Sequence, residues 1–240
     1  MIRNLTRGTA LAALVTLPLF GSTAIAQIAV SANDNKIALV NGINTVPENP
    51  APDTVTILDI GVSPPKVLGE LQAPSSVVGV PQSVAVSKDE SFAIVTSAMK
   101  VDPADPKKIT PDDRISVIDL KANPPAVTQT LQAGAGVTGV SISPSGTLAI
   151  TANRNDGSLS LFTISGKTLT AAGKIDLGNK NAGPSHVAFL PDGKSALVTR
   201  DGDHRVSILS IDGNKVEDTK KFMIGGFRPY SLVILSLIHI

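Results

Sequence analysis

Cysteine and tryptophan are absent from the 240 residues, and tyrosine occurs once. Without cysteine there can be no disulfide staple, no thiolate metal ligand and no thiol nucleophile. Stability must come from burial, and with so few aromatics the core has to be Val, Ile, Leu and Ala. The β-branched members of that set suit strands. An excess of one charge is missing too, with 21 Lys and Arg against 20 Asp and Glu. A near-neutral chain has no electrostatic footprint for nucleic acid or anionic lipid. The Lys107-Lys108 and Lys220-Lys221 pairs are isolated and read as solvated surface. Beyond residue 26 no apolar run is long enough to cross a bilayer, and no segment carries a convincing helical period. Gly-rich phosphate loops, a Gly-x-Ser-x-Gly elbow and His-Glu-x-x-His are all lacking. No cofactor and no metal are therefore expected.

The first 26 residues stand apart. Arg3 and Arg7 make a basic start, Gly8 to Phe20 is mostly apolar, and Ala24-Ile25-Ala26 precedes Gln27. That is the pattern of a secretory signal peptide, which places the mature protein in the periplasm or outside the cell. An uncut N-terminal anchor is the alternative. Loss of Arg3 and Arg7 leaves 19 basic residues against 20 acidic ones.

What is present is a repeat. Ser83-Val84-Ala85-Val86-Ser87-Lys88-Asp89 returns as Gly139-Val140-Ser141-Ile142-Ser143-Pro144-Ser145-Gly146 and as His186-Val187-Ala188-Phe189-Leu190-Pro191-Asp192-Gly193. Ile28-Ala29-Val30-Ser31-Ala32-Asn33-Asp34 reads as a degenerate first copy, and a fifth begins at Tyr230-Ser231-Leu232-Val233-Ile234. Each copy reads as four short strands. The second strand is Phe92–Thr96, Leu148–Ala152 or Ala196–Thr199, with Ile37–Val40 as its earliest form. The third alternates with period two, as in Ile115–Asp119 and Val206–Leu209, and the fourth is weaker. The extra length of the early copies falls in Asn41–Asp53 and Ser97–Asp113, rich in Pro and acid and read as surface loops.

Successive copies are 56, 47 and 45 residues apart, counted from Val84 to Val140, Val187 and Leu232. Four strands at such a period specify a β-propeller blade. The expected fold is thus all-β, a propeller of four-stranded antiparallel blades. Residues 27–234 supply four full blades and the first strand of a fifth. Six to eight blades need roughly 270 to 360 residues at this period. Residues 235–240 are apolar where a turn should come after Ile234, and are read as a non-native or disordered tail on a truncated propeller. The alternative is a small propeller whose last strand closes the ring.

Ala93-Ile94-Val95-Thr96-Ser97, Ala149-Ile150-Thr151-Ala152-Asn153 and Ala196-Leu197-Val198-Thr199-Arg200 resemble the Tyr-Val-Thr-Asn repeat of bacterial surface and periplasmic propellers. Gly183-Pro184-Ser185-His186-Val187-Ala188-Phe189-Leu190-Pro191-Asp192-Gly193-Lys194 is similar to a segment of the seven-bladed, 6-phosphogluconolactonase-like lactonases. The resemblance implies an incomplete seven-bladed propeller. It matches His186 to the family His and sets Asp201 in place of the family Glu. Ser185 stands where the family has Arg, so the resemblance to the activity is broken at that position.

The candidate residues come from the repeat. His186 begins an inner strand and suits acid–base work near neutral pH, or simply lines the channel. Asp201 is its companion, equally at home in a turn. Gln82, Thr138, Ser185 and Tyr230 occupy equivalent places and should form one ring. Arg200 and Arg228 lie near the same rim, so that Arg200, Arg228, Gln82 and Tyr230 are candidate ligand-binding residues. His204 reads as an exposed turn residue, and Asp156 and Asp203 as turn carboxylates. Asp102, Asp105, Asp112 and Asp113 read as parts of a stiff, solvated loop.

Function separates into three readings. In the first, the chain is an exported scaffold that binds a protein or small-molecule ligand at its rim. In the second, it is a lactone hydrolase, with His186 or Asp201 as general base and Arg200 or Arg228 stabilising the oxyanion. In the third, it is an accessory propeller of periplasmic electron transfer.

Overall fold

The computed structural model describes residues 27–78, 82–224 and 226–235. The signal-peptide reading of residues 1–26, and the tail from residue 236, lie outside them. The described chain is strand and turn throughout. Strand β1 (Ile28–Asn33) is succeeded by a hairpin of β2 (Ala38–Val40) and β3 (Ile43–Thr45), then by β4 (Thr54–Asp59) and β5 (Lys66–Gln72). Next come β6 (Val84–Val86), β7 (Phe92–Thr96), a second hairpin of β8 (Met99–Asp102) and β9 (Asp105–Pro111), then β10 (Arg114–Asp119) and β11 (Ala126–Gln132). The third group is β12 (Val137–Ile142), β13 (Leu148–Asn153), β14 (Ser158–Ser165) and β15 (Thr168–Asp176). The fourth is β16 (Pro184–Phe189), β17 (Ser195–Arg200), β18 (Arg205–Asp212) and β19 (Lys215–Ile224).

Antiparallel pairing makes three four-stranded blades, β6-β7-β10-β11, β12-β13-β14-β15 and β16-β17-β18-β19, and one three-stranded sheet, β1-β4-β5. The meander order within each blade, repeated along the chain, is a β-propeller.

Packing explains why the sheets stand side by side. Along β7, Ile94 joins a cluster with Val140, Ala149 and Phe162 of the third sheet. Its neighbours Ala93 and Val95 join Val55 and Ile57 of the first. Leu148, Ile150 and Leu159 of the third sheet meet Val187, Val198 and Leu209 of the fourth. A strand whose alternate residues all find apolar partners is buried on both faces. β7 and β13 are accordingly buried at every position, whereas the outer strands β5, β11, β15 and β19 are largely exposed.

Two expectations need correction. Ile28–Asn33 is not an inner strand, because β1 pairs with β4 as β13 pairs with β14, Asn33 facing Thr54 as Asn153 faces Ser158. The first sheet is therefore three-stranded, and the earliest copy is not a full blade. The misreading has a simple cause, since first and second strands share a period of two and differ only in their pairing partners. The segments taken as loops also fold: β2-β3 and β8-β9 are hairpins that stand off the blades at the same point of the repeat. Ile37–Val40, read as a second strand, lies in the first of these, where Leu39 is 72% exposed.

The inner strands approach each other closely. The Thr96 hydroxyl donates to the Thr138 carbonyl of the next blade, and the Thr138 hydroxyl donates to Ser185 O at 3.2 Å. At Gly139 a Cβ would come within 2.3 Å of Ser185 O and 2.9 Å of the His186 Cα. We therefore expect Gly139→Ala to push the third and fourth blades apart, costing roughly 1–3 kcal/mol. Urea denaturation of the two forms measures the difference, and equal midpoints would show that the inner strands are not in contact.

Candidate functional site

The inner strand of each blade is irregular where it begins. The pairing of β12 with β13 shifts between Val137 and Val140, and that of β16 with β17 shifts between Pro184 and Val187. These bulges carry Thr138 and Gly139 in one blade and Ser185 and His186 in the next. A bulge re-aims side chains that a regular ladder would have alternated.

Ser185 is fully buried and touches a cluster drawn from three places. Its hydroxyl donates to Gly183 O at 3.0 Å and accepts from Arg154 Nη1 at 2.8 Å. Arg154 Nη2 donates to Asp201 Oδ2 at 2.6 Å, and Arg228 Nη2 donates to the same oxygen at 3.0 Å. Asp201 sits in the turn after β17, its carboxylate wholly buried. Gly183, at φ +57°, leaves room for it, because a Cβ there would meet Asp201 Oδ1 at 2.4 Å. Arg154 comes after β13 as Asp201 comes after β17, so the ion pair spans two blades. The Arg154 guanidinium also lies 5.5 Å from the centre of the Tyr230 ring, a cation–π arrangement.

Arg228 is held by its own backbone. It has φ +53°, and its N–H donates to His204 Nδ1 at 3.1 Å, while the His204 ring stacks on Phe227 at 4.8 Å. His204, expected to be a free turn residue, thus anchors the loop that presents Arg228. The Thr199 hydroxyl accepts from the His186 N–H at 2.9 Å and donates to Tyr230 O at 3.1 Å. Tyr230 thereby takes the place at the inner end that Thr138 has beside Thr96.

The structure brings Asp201, Arg228 and Tyr230 together with Arg154 and Ser185. It does not bring Arg200 to them. Arg200 is buried, its guanidinium held by Asp203 and by Ser207 Oγ at 3.1 Å. Gln82 stands outside the cluster and donates to Ser231 Oγ at 2.8 Å. His186 is half-buried, and its Nδ1 accepts the Leu232 N–H at 3.4 Å, which leaves the neutral ring's proton on Nε2. Of the four aspartates read as parts of a solvated loop, Asp112, just past β9, is instead buried and held by Arg114 at 2.7 Å.

Arg154 is the residue that sequence reasoning missed. It lies in Asn153-Arg154-Asn155-Asp156-Gly157, a sequence of turn-forming residues that hides it. Laying Thr151-Ala152-Asn153-Arg154 over Val198-Thr199-Arg200-Asp201 sets it opposite Asp201, and that repeat position was the available signal. Among the described residues no cluster of His and carboxylates is arranged to hold a metal ion. No helix among them is long and apolar enough to cross a membrane.

Burial pushes the His186 imidazole below its ordinary value of 6.5. The unfolded chain then takes up this proton at a higher pH than the folded one. The stabilisation is complete above the unfolded value and is lost as the pH falls from there through the folded value. Urea denaturation at pH 7.5 and about pH 5 should show the protein weakening on acidification. His186→Gln should lose less over that interval, and identical losses would place the ring in solvent.

No family model matches the chain, and no curated protein matches it. Solved structures do. A Bacteroides uniformis protein described as a candidate 6-phosphogluconolactonase superposes with a TM-score of 0.58 at 17% identity, over 83% of this chain and 59% of its own. The periplasmic gluconolactonase of Pseudomonas aeruginosa gives 0.56 at 14% identity, over 78% of this chain and 55% of its own. The beta-propeller domain of a Myceliophteria thermophila protein gives 0.50 at 13% identity, over 77% and 56%. This chain therefore spans less than two thirds of the length of each. The likeness is one of fold, the β-propeller.

Proposed function

We propose that this chain is an exported β-propeller whose inner-end cluster binds a small ligand carrying a carboxylate or phosphate group. One observation carries the reading: a single buried carboxylate, Asp201, serves two guanidinium groups. The cluster therefore keeps one positive charge in excess, and Arg228, whose side chain is 56% exposed, is the group able to offer it. The planar fork of Arg suits a carboxylate or phosphate, and the half-open Tyr230 ring beside Arg154 gives the ligand an apolar wall. The export signal at residues 1–26 and the Tyr-Val-Thr-Asn type of repeat belong to this proposal.

Binding is favoured over catalysis because neither candidate base is free. Asp201 is held by two arginines, and His186 presents a proton rather than a lone pair at Nε2. A second reading, lactone hydrolysis, is supported by the gluconolactonase descriptions of the similar folds. It would need an anionic substrate to draw a guanidinium off Asp201. Water would then attack the ester carbonyl, giving its proton to Asp201. His186 and Arg228 would face the oxyanion as the ring C–O bond breaks, and the alkoxide would take a proton from solvent. His186 and Asp201 are catalytic residues only in that reading.

Titration calorimetry with gluconate and with inorganic phosphate tests the proposal. Arg228→Ala should weaken binding by about tenfold or more, the worth of a charged hydrogen bond, and the remote Lys220→Ala should not. Absence of binding, or equal binding by both variants, would overturn it. A pH-stat assay on 6-phosphoglucono-δ-lactone, an anionic lactone, decides the second reading. Turnover above the uncatalysed rate that His186→Ala abolishes would establish hydrolysis.

A further inference from the structure

The turn after the inner strand is closed by the same hydrogen bond in three sheets. Gly146 N donates to Ser143 O at 2.9 Å in the third sheet, and Gly193 N donates to Leu190 O at 2.9 Å in the fourth. Both glycines are left-handed, at φ +74° and +67°. In the second sheet the bond runs from Glu90 N to Ser87 O at 2.8 Å, and Glu90 has φ +54°. Glycine adopts that conformation freely, and a residue with a side chain is disfavoured in it. The repeat thus sets a glutamate where its other two turns set glycine, and the turn itself gains nothing by it.

The carboxylate is used elsewhere. Glu90 Oε1 accepts from Gln27 N at 2.8 Å, across 63 positions of sequence, and from Ile28 N at 3.3 Å. It ties the start of β1 to the second blade. Gln27 O accepts from Ile60 N, just past β4, at 2.7 Å, so the two backbone groups of Gln27 are held by two different sheets. Asp59, which faces Ile28 across the ladder of β1 and β4, turns its Oδ1 to the Gly61 N–H at 2.8 Å. Among the described residues, Glu90 is the acid that reaches the Gln27 nitrogen.

The place of that nitrogen gives the contact its meaning. Ala24-Ile25-Ala26 is the small-x-small pattern that precedes signal cleavage. A cut after Ala26 turns Gln27 N from an amide into the α-ammonium of the mature chain. We propose that Glu90 is the receptor for this new terminus, so that removal of the export signal converts a hydrogen bond into an ion pair at the same atom and fastens β1 to the second blade. The inference rests on the export reading and is independent of what the inner-end cluster binds. The gain is that of an exposed ion pair, placed where a chain end would otherwise fray.

The pairing has a chemical consequence. An N-terminal glutamine cyclises when its neutral α-amine attacks the side-chain carbonyl carbon Cδ. The new N–C bond forms, the Cδ–Nε2 bond breaks, and ammonia leaves. Glu90 keeps the nitrogen protonated and bound. The Gln27 side chain meanwhile lies over Gly61, where an added Cβ would come within 3.3 Å of Cγ and 3.5 Å of Cδ. The ion pair therefore protects the mature terminus from closing into a lactam.

Mass spectrometry of the exported, purified chain tests both links. The wild type should begin at Gln27 with its ammonia retained. On incubation at about pH 8, the ordinary α-amine value, Glu90→Gln should lose one ammonia from its N-terminal peptide at least about threefold faster, the order of an exposed ion pair. Glu90→Gly should do the same, and it carries the residue that the third and fourth sheets already have in this turn. Glu48→Gln, which removes an exposed carboxylate between β3 and β4, should match the wild type. A chain that begins elsewhere than Gln27 would overturn the export reading and this inference with it. A chain that begins at Gln27 but loses ammonia at one rate in every form would overturn the role of Glu90 alone, as would a wild type already cyclised when isolated.

Discussion

A blade of this protein cannot exist alone, because both faces of its sheet are apolar and only another blade can cover them. The alternation along β7 states the constraint most compactly: Ile94 serves one interface, and Ala93 and Val95 serve the other. Three clusters, each shared by two adjacent sheets, take the place of a single core. With no cysteine there is no covalent tie between the sheets, and these clusters hold them together. The energy of the fold therefore lies between its repeats as much as within them, as expected of quasi-one-dimensional repeat proteins.

The site is a by-product of that packing. Close approach of the inner strands at Gly139 brings the bulge carrying Ser185 and His186 against the blade before it. The turn after β13 then lies near the turn after β17, and Arg154 of one reaches Asp201 of the other. A buried carboxylate is costly unless it is paired, and pairing across an interface ties the electrostatics of the cluster to the geometry of the blades. Arg228 comes from a third element, fixed by His204 and Phe227. The charge left over is thus set by architecture rather than by one motif.

Much of the architecture was legible, for physical reasons. The strand period, the Pro and Gly turns and the spacing of Val84, Val140 and Val187 all arise from backbone chemistry, which leaves its mark locally. The place of Ile28–Asn33 was not legible, since a period of two does not tell a first strand from a second. Only the side-chain ladder from Asn33 to Thr54 and Thr56 does. The site was legible in part. Tyr230 was placed as a candidate through the repeat and Asp201 through the resemblance, whereas Arg154 was hidden by a turn-like sequence. Arg200 looked available until Asp203 and Ser207 were seen to occupy it. Which guanidinium points inward is decided by partners on other segments, and no local pattern records that.

The most direct test of the shared interfaces is native-state hydrogen exchange on Leu209→Ala. Leu209 is fully buried in the fourth sheet, within the cluster that includes Leu148, Ile150 and Leu159 of the third. Truncation should cost about 2–5 kcal/mol. If neighbouring blades hide each other's faces, the amides of β13 and β14 should lose protection together with those of β17 and β18. Loss confined to the fourth sheet, with β13 unchanged, would mean that each blade is stable by itself and would contradict the account.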